Sequence, residues 1–332
     1  MKILLSLKAG GPETLELAEL ADPVPQPGEV RVKVMACGVN YPDLLIIKDQ
    51  YQVKLPRPFA PGGEIAGIVD QQGDGVRGFK IGDRVVAAPG WGGMAEKITL
   101  PATACTSLPD EMPFADGASF LVTFGTAYHA FKQRAALRHG EKLLVLGAAG
   151  GVGSAAVALG RAFGAGVVAA ASSQAKLDAA LAIGADAGIV YPGSAESLDD
   201  RKALAEQFKR AAGRDGFDVV CDSVGGPYSE AALRALAWGG RYLVVGFTAG
   251  IARIPLNLPL LKGGDILGVL YGPWAEREPV ANRANIEELM ALYRRGAIRP
   301  AISARYALAD APKAIAALAE RRTVGKSVIM MQ

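Results

Sequence analysis

The stretch Lys142–Arg161, KLLVLGAAGGVGSAAVALGR, decides how this chain is read. An apolar run, then glycines at 147, 150, 151 and 153, then Val152, Ala156, Leu159 and Phe163 at helical spacing predict a buried strand, a tight turn and a buried helix. The competing reading is a membrane span, since Leu143–Gly160 carries no charge and Gly147 and Gly151 have GxxxG spacing. Five glycines in that run, alanine through much of the rest, and Lys142 and Arg161 at its ends argue against a span. A glycine turn that follows a strand and opens a helix is the setting for a dinucleotide pyrophosphate. Strict GxGxxG is not met, because Ala148 stands at the first glycine position. Gly150 would let the backbone approach the phosphates, Gly151 and Val152 lie in the first helical turn, and Gly153 would let the helix pack close to the strand.

C-terminal to this stretch the same texture repeats. A helix around Leu177–Ile183 is closed by Gly184, a strand follows at Gly188–Tyr191, and a helix with Leu204, Phe208 and Ala211 on one face is closed by Gly213. FDVVCD from Phe217 and RYLVVG from Arg241 supply two more strands. Strands alternating with helices of this length predict a doubly wound parallel sheet. N-terminal to it, EVRVKVMA (29–36), EIAGIVD (64–70), DRVVA (83–87) and AEKITL (95–100) alternate with Gly and Pro punctuation and one short helix, Tyr41–Lys48, which predicts a β-rich domain. After Asn257 the punctuation returns. Asn285 and Glu288 have the spacing of a capping box ahead of Ile286, Leu289, Met290 and Tyr293, Gly296 is the stop, and KSVIMM can return as a strand to the first domain.

Composition removes several function classes. The 332 residues suffice for about two domains, and 36 Lys plus Arg against 33 Asp plus Glu leave +3, too little to draw a nucleic acid or an anionic membrane. Three scattered cysteines and two histidines offer no disulfide framework and no CxxC knuckle. The start, MKILLSLKAG, lacks a signal-peptide core, so a reducing, cytoplasmic setting is expected.

The cofactor is chosen at the end of the second strand, where an NAD enzyme places an acid for the ribose 2′-hydroxyl. Ser172 and Ser173 stand there, with Lys176 one short step along the next helix. Donors and a cation in place of an acid favour the 2′-phosphate of NADP(H). The other reading, that the serines cap the helix and Lys176 is a solvated surface residue, stays open.

GEIAGIV, GDRVV, LVTFGTAYHA, GAAGGVG and VCDSVGG, in this order, resemble the zinc-free quinone oxidoreductase (zeta-crystallin-like) branch of the medium-chain dehydrogenase/reductases over nearly the whole chain. LAWGGRYLVVGF and NLPLLKGGDILGVLYG are most similar to quinone oxidoreductase-like proteins. The resemblance implies a GroES-like catalytic domain, 1–120 with 259–332, a Rossmann domain at 121–258, and a cleft holding the nicotinamide between them. Where the zinc enzymes place ligands, this chain has Asn40, Gly63 before Glu64, and no donor around Val122–Thr126, so no catalytic metal is expected. Without a Lewis acid, hydride delivery to a quinone or an α,β-unsaturated carbonyl is the expected chemistry, with enoyl-thioester reduction or a non-enzymatic NADPH- or RNA-binding role as alternatives.

By the same resemblance Asn40, Tyr41 and Asp43 line the nicotinamide side, Tyr51 closes the substrate side, and Thr126 with Tyr128 lies beside the nicotinamide. Tyr191 falls near the 2′-phosphate, Gly246, Phe247 and Thr248 along the cofactor, Val269, Leu270 and Tyr271 over the nicotinamide, and Lys326 at the edge of the cleft. Asp222 is expected to cap a loop or helix. For Tyr51 the residues alone leave two readings, a phenol polarising a carbonyl or an aromatic packed in a core. A homodimer joined near Gly264–Leu270 is also implied.

Overall fold

The computed structural model describes residues 1–213 and 215–331. It opens with β1 (Lys2–Ser6) paired antiparallel to β2 (Leu15–Glu19), then β3 (Glu29–Gly38), α1 (Tyr41–Ile47), β4 (Ile65–Gln72), β5 (Arg84–Ala87), β6 (Lys97–Pro101), β7 (Cys105–Ser107) and α2 (Phe114–Gly117). Along β3, Val30, Val32 and Val34 are fully buried while the intervening residues are not, the two-residue period of a strand with one face on a core.

From α3 (Leu121–His129), continued by a π-helical turn at Ala130–Arg134, the chain enters a second compact unit, Thr123–Ala301. Here β8 (Lys142–Leu146), α4 (Gly151–Ala162), β9 (Gly166–Ala171), α5 (Gln174–Ile183), β10 (Ala187–Val190), α6 (Leu198–Ala212), β11 (Phe217–Asp222), α7 (Tyr228–Arg234), β12 (Leu236–Val244), α8 (Asn257–Lys262) and β13 (Asp265–Gly268) alternate. The six strands lie in the order β10-β9-β8-β11-β12-β13 with every pairing parallel. The order reverses between β8 and β11, the switch point where a doubly wound sheet opens a ligand crevice at its strand ends. α9 (Tyr271–Arg277) and α10 (Pro279–Arg294) complete the unit.

The chain then returns to the first unit as β14 (Ile302–Ala307), α11 (Ala311–Ala319) and β15 (Lys326–Met330). β15 pairs with β3, Val328 opposite Gly38, so the seven-stranded sheet runs β14-β15-β3-β4-β5-β7 with β6 also on β3. The expected return at residue 259 comes at Ile302 instead. The cause is that β13 hydrogen-bonds along β12 and α10 ties back to the residues after α3.

Two local expectations also shift. Asn285 and Glu288 do not cap a helix: α10 begins at Pro279, and their side chains bond Gln133 and Lys132 instead. On α6 the buried face is Leu204, Ala205, Phe208 and Ala212, leaving Ala211 at its exposed margin. No helix among the described residues is long and apolar enough to cross a membrane.

Candidate active site

In the second unit, the turn between β8 and α4 is made by Gly147, whose φ of +69° is the left-handed geometry that glycine adopts without penalty. Gly150 N–H closes that turn on the Gly147 carbonyl at 2.9 Å. The tight-turn glycine therefore lies one residue before Ala148, which holds the first position of the strict motif. A β-carbon on Gly153 would fall 2.0 Å from the Gly147 oxygen, so only glycine lets α4 sit this close to the strand end. Gly150, the N-cap of α4, is extended and offers no side-chain cap, so Gly151, Val152 and Gly153 begin the helix with N–H groups lacking side-chain acceptors. These features fit a pyrophosphate.

At the end of β9 both readings of the serines are present at once. Ser173 caps α5, accepting from Lys176 N–H at 3.4 Å, while the Lys176 ammonium donates to Ser172 Oγ at 3.3 Å. Tyr191, after β10, is buried in the core and packs against the Tyr228 ring at 4.8 Å. Its placement is that of a core aromatic. Gly246, Phe247 and Thr248 follow β12; Phe247 is exposed, and Thr248 Oγ1 donates to the Ser223 carbonyl at 3.2 Å.

Val269 is buried and donates its N–H to Val244 O at 2.9 Å, Leu270 is exposed, and Tyr271 lies against Gly125 of α3 and donates its hydroxyl to Asn282 Oδ1 at 2.9 Å. Half-buried Thr126 is the neighbour of that glycine. Tyr128 belongs elsewhere. Two residues along a helix turn about 200°, and its ring packs edge-on against Phe163 while its hydroxyl donates to Glu288.

In the first unit, Asn40, Asp43, Glu64 and Lys326 form one buried polar cluster, at 8, 1, 0 and 4% exposure. Lys326 Nζ donates to Val39 O (2.9 Å), Asn40 Oδ1 (2.7 Å) and Glu64 Oε2 (3.4 Å), which uses all three of its N–H bonds. No donor remains for a cofactor. Asn40 Nδ2 donates to Glu64 Oε2 at 3.2 Å and Gly38 O at 3.4 Å, so that amide is likewise committed inside the protein. The Asp43 carboxylate accepts from the N–H groups of Asn40 (2.7 Å) and Gly62 (2.9 Å). Burial pushes Asp43 up to about 6 despite those hydrogen bonds. Asn40, Asp43 and Lys326 thus brace the start of α1 and do not present free groups to a ligand. Glu64 is the member of this cluster that spacing in the sequence did not identify.

Tyr41 and Tyr51 are half-buried against the same core. Burial, then the Asp43 charge, raise the Tyr51 phenol above its usual value, so it stays a donor at neutral pH. A loop clamp holds its segment. Arg57 bonds Asp49 at 2.9 and 3.1 Å, and also the Ile47 carbonyl at 3.0 Å.

The cluster does not fit a zinc ion. It already holds a cation, Lys326, against Asn40 and Glu64, and burial pushes the nearby Cys37 thiol well above its usual range, away from the thiolate a metal needs. Among the described residues no three His, Cys, Asp or Glu gather as a metal-ligand group.

Two sequence profiles match, "Alcohol dehydrogenase GroES-like domain" over residues 26–110 and "Zinc-binding dehydrogenase" over 151–286. The quinone oxidoreductase-like protein 2 of Bos taurus is 35% identical over 310 residues, 92% of this chain and 86% of that one. The Thermus thermophilus quinone oxidoreductase, also solved in complex with NADPH, is 34% identical and superposes with a TM-score of 0.82 over 99% of this chain and all of its own. A mycobacterial protein in complex with NADPH is 28% identical, with a TM-score of 0.90 over 99% of each chain. With a GroES-like unit, a Rossmann-type parallel sheet and relatives matched over nearly their full length, the chain belongs to the medium-chain dehydrogenase/reductase family, among the quinone oxidoreductase-like proteins.

Proposed function

We propose that this protein is an NADPH-dependent reductase of quinones or α,β-unsaturated carbonyls that works by direct hydride transfer without a metal. The observation that carries the reading is the pair of features at the strand ends of the second unit: a phosphate cradle at Gly147–Gly153, and Ser172, Ser173 and Lys176 where an acid would repel a 2′-phosphate. The NADPH held by two structural relatives supports the same cofactor here. Gly150, Gly151, Val152 and Gly153 would hold the pyrophosphate, Ser172, Ser173 and Lys176 the 2′-phosphate, and Thr126, Gly246–Thr248 and Val269–Tyr271 the remainder. When bound, NADPH supplies the hydride.

The chain's own contribution is positioning and proton control. Tyr51 is assigned the acceptor's oxygen, since its hydroxyl stays protonated and the neighbouring Asn40, Asp43 and Lys326 are spent on one another. A phenol donated there stabilises the negative charge that grows on an enone oxygen as hydride arrives at the conjugated carbon. Quinones, already strongly electrophilic, need mainly to be held in place.

The test is NADPH oxidation with a panel of quinones, 2-alkenals and enoyl-thioesters, with and without chelator. Turnover of quinones or alkenals, unchanged by chelator, supports the proposal. Turnover of thioesters alone moves the substrate class, and a flat panel with NADPH bound favours a non-enzymatic role. We also assign a second copy of this chain to the edge of β13 that no described strand pairs, next to Gly263, where Trp238 of β12 lies and α8 ends with Leu260 and Leu261, all three at least 65% exposed. A monomer by light scattering at micromolar concentration would reject that.

A further inference from the structure

Asp222 closes β11, beside the switch point of the sheet, and is 3% exposed. Four donors share its two oxygens. Oδ1 accepts from the N–H groups of Val224 (2.7 Å) and Gly225 (2.9 Å); Oδ2 accepts from Ser229 Oγ (2.6 Å) and from the Tyr242 hydroxyl. Burial first, and then the Asp222 charge, hold the Tyr242 phenol well above its ordinary value, so that hydroxyl donates at every working pH. No cation pairs with Asp222 among the described residues. The second oxygen is what an Asn would not supply, because its Nδ2 would face the Ser229 and Tyr242 hydroxyls that now donate there.

The held segment, Ser223–Gly226, has two neighbours that both belong to the proposed cofactor bed. On one side Ser223 Oγ donates to Leu146 O at 3.0 Å and lies 2.8 Å from where a β-carbon on Gly147 would be, in contact with the glycine turn. On the other, Thr248 Oγ1 donates to Ser223 O (3.2 Å), Ala249 N–H to Val224 O (2.7 Å), and Gly226 N–H to Gly250 O (2.7 Å). Gly225 and Gly226 both have positive φ, and β-carbons there would lie 2.5 and 2.6 Å from the carbonyls of Gly250 and Ala249. The segment is wedged between the β8–α4 turn and residues 246–250, with Asp222 fixing it from beneath.

We infer that Asp222 is a positioning residue that sets NADP(H) affinity by locking the glycine turn, Ser223–Gly226 and residues 246–250 into one preorganised bed. The inference rests on the cofactor reading above. Asp222 touches no ligand; it acts through the backbone of Val224 and Gly225. Preorganisation of this kind appears in binding more than in chemistry.

The experiment compares wild type, Asp222→Asn, Tyr242→Phe, Ser229→Ala and Phe208→Leu, the last a core variant on α6 chosen for a similar loss of Tm. NADPH Kd is read by fluorescence titration, alongside far-UV dichroism, Tm and the KM-against-kcat split. Asp222→Asn is expected to weaken NADPH about tenfold, with KM for NADPH rising in step and kcat at saturation within about twofold. Tyr242→Phe and Ser229→Ala, which leave the carboxylate in place, should each weaken it about threefold, and Phe208→Leu should leave Kd unchanged. Equal affinity in wild type and Asp222→Asn overturns the inference, as does a matching loss in Phe208→Leu, which would make the effect one of general stability. If Asp222→Asn does not fold, the Tyr242 and Ser229 variants decide. A wild-type chain that does not bind NADPH overturns the cofactor reading itself, an outcome distinct from either of these.

Discussion

Tyr271 occupies the space that Gly125 leaves: a β-carbon on Gly125 would lie 2.4 Å from Cζ of the tyrosine ring. Gly125→Ala must therefore displace the ring, whose hydroxyl donates to Asn282. The expected cost is about 1–3 kcal/mol of stability, measured by denaturant unfolding, with a rise in KM for NADPH. Tyr271→Ala should remove most of that cost in the double variant. Additive losses would mean that the contact is not what makes Gly125 necessary.

Lys176→Ala is expected to weaken NADPH about three- to tenfold, since one charge-assisted contact to a 2′-phosphate is lost. NADH, which has no such phosphate, should be unaffected in fluorescence titrations. If both cofactors weaken alike, Lys176 supports α5 and does not choose the cofactor.

Tyr51→Phe keeps the ring packed against the core and removes only the hydroxyl. For 2-alkenals kcat should fall about ten- to a hundredfold, and for quinones by much less, because quinone reduction leans less on a donor at oxygen. Equal effects on both classes, or none, would return Tyr51 to a packing role.

Asp43 makes a pH prediction of definite sign. Its folded value, about 6, lies above the 3.8 of a free carboxyl, so the folded state takes up a proton that the unfolded chain does not hold between those values. The stability this group contributes is complete below about 4 and is lost as pH rises through about 6. Asp43→Asn should flatten that part of the stability profile relative to wild type, read by urea unfolding at several pH values. Parallel profiles would show that Asp43 stays ionised throughout, held so by Asn40 and Gly62.

What could be read from the sequence followed from local pattern. The glycine turn, the βαβ series and the short strands of the first unit are encoded by neighbours a few residues apart, and the structure has them where the periodicity put them. The misreadings of side-chain partners share one cause. Asn285 and Glu288 have the spacing of a cap, but their partners are Gln133 and Lys132, more than 150 positions away. Lys326, Asn40 and Glu64 reach one another over 286 and 262 positions. No spacing rule relates such residues, so the sequence alone points Asn40 and Lys326 at a ligand or a cleft and leaves Glu64 out. Gly147 is legible in principle, since it stands one residue before the first position of the strict motif.

The pairing of β15 with β3 has a consequence for how the molecule is made. The second unit is continuous in sequence, so all of it emerges from the ribosome before β15 does. The first unit has no such independence. Until β15 arrives, the edge of β3 that it covers is unpaired, and Asn40 and Glu64 are without the ammonium that later joins them. A nascent chain therefore passes through an interval with one finished body and one open sheet, the kind of exposed edge that chaperones shield and stalled translation leaves vulnerable to aggregation.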